Sequence, residues 1–191
     1  APSYWIDGFT AQFPPINIDA DDTLTVVLHA NYGDYYGQSF SPDLVMYVGQ
    51  DNSMIETEEG AFGEPIQGDG DPVPKLDNEE ELLILFYWDR DDSNSVQDVD
   101  YFIWGNNQNA IDKSNVPGYQ SDTSADDQLF FEEIAENYYA YSRIGTDEIG
   151  ETTSGGNGIT EQHDETSENF RQSWEIVPLF NLGCTDENAP N

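Results

Sequence analysis

Basic side chains are nearly missing from this chain. Lys75, Lys113, Arg90, Arg143 and Arg171 face 39 Asp plus Glu, leaving a formal net charge of −34. A surface of that sign repels phosphate, so nucleic acid and anionic membrane are poor partners. Cysteine is scarcer still: with Cys184 alone, no intramolecular disulfide, cysteine zinc cluster or CxxC redox pair exists, and a disulfide has to join two chains. Histidine occurs only at His29 and His163, which argues against zinc. No apolar run approaches the roughly 20 residues of a membrane-spanning helix, and no signal-peptide pattern is present. GxSxG, GxxxxGK[ST] and a strand-linked GxGxxG are also missing, and "SGGNG" (154 to 158) reads as a turn. A Ser-His-Asp site needs His29 or His163, and Asp164 sits too close in sequence to His163 to orient its ring. The expectation is a protein without enzymatic activity.

What is present argues for a fold. Apolar residues make up 37% of the chain and aromatics 13%, too rich in core-forming side chains for a disordered acidic polymer. The 191 residues suit one well-buried core. The organisation read from the pattern is an N-terminal segment (1 to 22) forming an edge or exchanged strand, a β-sandwich domain (23 to 183) and a tail (184 to 191).

Most segments carry strand signals. "TLTVVLHA" (23 to 30) places Leu24, Val26 and Leu28 on one face, with the period of two that a sheet requires. "DLVMYVG" (43 to 49) is similar. "LLILFYW" (82 to 88) is apolar throughout, the pattern of a central strand covered on both faces, and it pairs with "DVDYFIWG" (98 to 105) as an antiparallel hairpin. Further strands are expected at 138 to 145 and 173 to 183, the latter at an edge because Pro178 interrupts it. One helix is expected over "SADDQLFFEEIAEN" (124 to 137), where Ser124 and Asp127 resemble a capping box. The long connections are Gly-, Pro-, Asn- and Asp-rich, so the class is all-β, an antiparallel sandwich with long acidic loops and at most one short helix.

The hairpin loop concentrates carboxylates. Asp89, Asp91, Ser93, Ser95, Gln97 and Asp100 fall at positions 1, 3, 5, 7, 9 and 12, the ligand spacing of an EF-hand calcium loop, with Asn94 at the sharp turn. Arg90 intrudes, position 12 lacks the bidentate Glu, and the flanks are strands. A regular strand also sets Asp98 and Asp100 on one face about 7 Å apart, where a shared cation removes their repulsion. Further acidic knots are "DADD" with Asp19, Asp21 and Asp22, "GDGD" with Asp69 and Asp71, "SDTSADD" with Asp122, Asp126 and Asp127, and "HDE" with Asp164 and Glu165. Loop aspartates most often simply cap and turn. Their clustering without basic partners makes these residues the candidate metal ligands, with calcium as the expected cofactor.

Several blocks together resemble the bacterial secreted branch of the lamin-tail-domain-like family. They are "LLILFYWDRDDSNSVQDVDYFIWG", "NAIDKS" (109 to 114), "YSRI" (141 to 144) and "SGGNGITEQHDETSENFRQSW" (154 to 174), with weaker similarity in "YWIDGFTAQFPPINIDADDTLTVVL". The resemblance implies an immunoglobulin-like β-sandwich, a non-catalytic module of exported proteins with no active site to carry over. The family's opening strand, of "VEIYNP" type, and its "LSNY" segment have no counterpart here. Two explanations follow: a piece of a longer protein, which the start at Ala1 rather than Met also fits, or a sandwich that takes its missing strand from a neighbouring copy. "APSYWIDGFTAQF" and "EIVPLFNLGCTDENAPN" are the candidate donor segments.

The functional expectation is a secreted, calcium-binding structural protein, extracellular or on the cell surface. It assembles with copies of itself into a fibre by strand addition and bridging calcium. The alternative is a calcium-dependent polysaccharide-binding or accessory domain of a secreted hydrolase, and a third reading is a halophile's solvated domain without a specific metal.

Overall fold

The computed structural model describes residues 9–28, 41–46, 51–57, 76–88, 96–116, 119–120, 122–147, 149–159 and 162–179. They fall in two compact units, Ala1–Leu76 and Asp77–Asn191. Both units are built from strands. The all-β class expected from the sequence is what the chain adopts.

In the first unit the strands are minimal. β1 (Ala11–Gln12) pairs antiparallel with β4 (Ile55–Glu56), and β2 (Val26–Val27) pairs parallel with β3 (Leu44–Val45). Leu44, Met46 and Met54 form the core, and Phe9, Ala11, Leu24, Val26 and Leu28 pack against it. Leu24, Val26 and Leu28, the face set by alternation, thus pack partly buried on this core, while Val27 of the opposite face is itself buried, so both faces are covered.

The second unit rests on a hairpin of β5 (Glu81–Trp88) and β6 (Val96–Trp104). The expected pairing is present, but the burial is reversed. β6 is the covered strand, with Tyr101, Phe102, Ile103 and Trp104 all buried, whereas Leu83, Leu85, Phe86, Tyr87 and Trp88 of β5 are 41–52% exposed. The cause lies in what flanks each strand. The free side of β6 is met by Gly158 against Asp98 and by Phe131 against Trp104, while β5 pairs with β6 alone among the described residues. Among the described residues the unbroken apolar run thus lies on the less covered strand of the pair.

A second antiparallel pair, β7 (Tyr139–Arg143) with β8 (Trp174–Pro178), brings Tyr141 and Trp174 onto Phe102 of β6, at ring-centroid distances of 5.0 and 4.1 Å. Phe131, Phe170 and Trp104 complete this aromatic cluster around Phe102. Pro178 ends β8 and needs no ladder donor there.

The helix expected over 124 to 137 does not form. Ser124 Oγ donates to Asp127 Oδ2 at 2.7 Å, so the capping contact exists, but it closes a single turn. Two tertiary demands override the helical spacing. Gln128 is buried with its amide committed to other segments, and Phe131 pairs its backbone with Ile103 and Gly105. The helical turns occur instead in the "HDETSENF" block: a 3-10 turn at Glu165–Ser167 and α1 (Phe170–Ser173).

Candidate functional site

β6 carries the aspartates that anchor two buried polar nests. Leu85 pairs with Asp100 and Phe86 with Asp98, leaving Val99 as a bulge. Leu85 and Phe86 point to opposite faces, so Asp98 and Asp100 do as well. The shared face expected from a regular strand is not adopted, and with it goes the repulsion that called for a cation between them. Each carboxylate instead meets its own basic side chain.

Asp98 is 1% exposed and lies 3.3 Å from Lys113 Nζ, which also lies 2.8 Å from Asp122 Oδ2. The ammonium sits over the rings of Tyr101 and Tyr119, 5.2 and 5.3 Å from their centroids. The backbone N–H of Lys113 donates to Asp122 Oδ2, and that of Asp122 is received by Ser114 Oγ, so "NAIDKS" and "SDTS" are locked together. Burial raises the Asp98 pKa above the usual carboxylate range, although Lys113 opposes it. Burial likewise raises both tyrosine hydroxyls. Beside this nest, Tyr101 donates to Gln128 Oε1 at 2.6 Å, and Gln128 Nε2 donates to the carbonyls of Ile111 and Thr123. Thr123 Oγ1 then donates to Asp164 Oδ2, while Asp164 Oδ1 caps the 3-10 turn through the Thr166 N–H.

The second nest lies on the other face. Arg143 of β7 forms a fork with Asp100, at 2.8 and 3.2 Å, and its Nη1 stands 3.7 Å from Glu168 Oε1. Its guanidinium lies over Trp174, whose indole N–H donates to the same Glu168 oxygen. Glu168 is 0% exposed, and burial pushes its pKa up to about 7, against help from Ser173 and Arg143. Across an antiparallel bridge stands Glu151, its side chain 1% exposed, 3.8 Å from His163 Nδ1. Neither Glu151 oxygen, nor Glu168 Oε2, receives a hydrogen bond within the protein. Gly150 makes room for this pairing, since a Cβ there would stand 2.8 Å from Glu168 Cγ.

The sequence-derived metal candidates thus divide. Asp98, Asp100, Asp122, Asp164 and Glu165 are gathered around β6 and the "HDETSEN" block, where the first three hold cationic side chains and Asp164 holds hydroxyl and amide donors. Glu165 is buried against Gly158, whose added Cβ would stand 2.6 Å from Glu165 Oε1. Asp19, Asp21 and Asp22 form an exposed turn with Asp21 at φ 69°, and Asp126 and Asp127 lie on an exposed turn. Asp69, Asp71, Asp89, Asp91 and Ser93 lie outside the described residues, as do His29 and Cys184. Among the described residues no group of three or more His, Cys, Asp and Glu is arranged to hold a metal ion. Sequence reasoning missed Lys113, Arg143, Glu151, Glu168 and Gln128. The signal available for the first two was scarcity: a rare basic residue amid carboxylates is the one most readily drawn into a buried pair.

No family model, curated protein or solved structure matches the chain. No helix among the described residues is long and apolar enough to cross a membrane.

Proposed function

We propose that the protein is a secreted, non-catalytic, calcium-binding structural unit that adds copies of itself edge to edge into an extracellular or cell-surface fibre. The observation that carries this reading is β5. Among the described residues it pairs with β6 alone, and five of its seven apolar side chains stand 41–52% exposed. An edge of this length and composition, without lysine or proline, is a template for strand addition. Glu79, Glu80 and Glu81 precede the run and Asp89, Asp91 and Asp92 follow it, so neighbouring copies bring like charges together. Calcium, which takes six to eight oxygens, relieves that repulsion. Blocking the edge tests the reading. Leu83→Lys and Leu85→Lys place a charge on exposed positions and are expected to abolish filaments in electron micrographs while leaving the monomer folded; filaments identical to those of the parent would refute the role of β5.

A second reading has its own support. At one end of β5, Phe86 and Trp88, 43 and 49% exposed, share one face as a pair of rings suited to stacking on sugars, with Tyr87, 52% exposed, on the other. A calcium-dependent polysaccharide-binding or accessory domain of a secreted hydrolase would use them so. Glycan-array binding lost on chelation and on Trp88→Ala favours this reading over the fibre.

A further inference from the structure

The geometry points to a divalent-cation site between Glu151 and Glu168, separate from the hairpin loop and from every acidic knot in the sequence. The two residues face one another across an antiparallel bridge, which sets their Cβ atoms about 5 Å apart on one face. Both side chains are almost fully buried, at 1% and 0% exposure. Three of their four oxygens, Glu151 Oε1 and Oε2 and Glu168 Oε2, receive no hydrogen bond within the protein. A buried carboxylate without a donor is costly, and ionised ones are held in place by a pairing charge or a metal.

The local charge sets the valence. Among the described residues three carboxyl groups, Asp100, Glu151 and Glu168, gather here with one guanidinium, Arg143, an acidic excess of two. A divalent ion balances it. The donors are carboxylate oxygens, which select a hard cation such as calcium over zinc. Arg143 and the Trp174 indole occupy Glu168 Oε1 and leave Oε2 for the ion. In the absence of metal, a proton shared by the pair is the competing occupant.

Terbium titration of the full chain tests this, since Trp174 lies beside Glu168 and sensitises a lanthanide held there. Glu151→Gln and Glu168→Gln are each expected to weaken sensitised binding by about tenfold or more, since even outer-shell changes cost that much. Asp89→Asn/Asp91→Asn, which strips the hairpin loop, is expected to leave this component intact. Loss of calcium binding by the loop variant alone therefore counts against the loop and not against this pair. Equal affinity and stoichiometry in folded Glu151→Gln and Glu168→Gln overturn the site. A measurement on the unmutated chain guards against misfolded variants: substoichiometric gadolinium should broaden the amide resonances of Gly150, Thr152 and Asn169. Broadening confined to other residues overturns the proposal.

Discussion

Lys113 is the residue on which the most structure converges. It neutralises Asp98 and Asp122, whose side chains are each 2% exposed, and it binds Asp122 again through its backbone N–H. Replacing it by methionine keeps the apolar contact with Tyr101 and Tyr119 but strands two buried carboxylates. The expected loss is about 3–5 kcal/mol, read as a lower urea midpoint. Glu168 sets a pH dependence of opposite sense to that of an ordinary surface carboxylate. Its folded pKa of about 7 is raised above the usual 4.5. Its contribution is therefore fully present below the ordinary value and is lost as the pH rises through about 7. In chelated buffer, stability should fall on the order of a few kcal/mol between about pH 5 and pH 8. Glu168→Gln should remove much of that fall. A wild-type profile that rises over the same window would contradict the burial of this group.

At the scale of elements, the hairpin was legible and its environment was not. The apolar runs around residues 82–88 and 98–105 pair as read, because cross-strand pairing is local and follows from alternation and turn chemistry. Which strand is covered depends on what docks beside it, and the segments at Gly158 and Phe131 that cover β6 lie far along the chain. The bulge at Val99 was equally invisible, and by turning Asp98 and Asp100 to opposite faces it replaced a shared cation by Lys113 and Arg143. The capping pair Ser124 and Asp127 was real, yet a long-range claim on Gln128 and Phe131 outweighed a weak helical propensity. The C-terminal end of β6 offers a sharp test of element packing. Gly105 has φ +81°, and a Cβ there would fall 1.9 Å from the Glu79 carbonyl oxygen. Gly105→Ala should cost at least about 2 kcal/mol by thermal unfolding, from left-handed strain and displacement of the bend at Glu79 and Glu80 that leads into β5.

For the whole molecule, charge is the governing quantity. Each basic side chain among the described residues already holds a carboxylate: Lys113 holds Asp98 and Asp122, Arg143 holds Asp100, and Arg171 holds Glu132. Most of the 39 acids are left to solvent and ions. Composition alone showed this imbalance, but it did not show that Lys113 and Arg143 are drawn inward, their side chains 9% and 20% exposed, while Arg171 stays at the surface. On the proposed reading, self-association along β5 is therefore cation-dependent. Electron microscopy of the full chain at high concentration, in millimolar calcium and again after addition of a chelator, tests this most directly. Filaments that form with calcium and disperse on chelation are the predicted result; a chain that stays monomeric in both conditions would contradict the account.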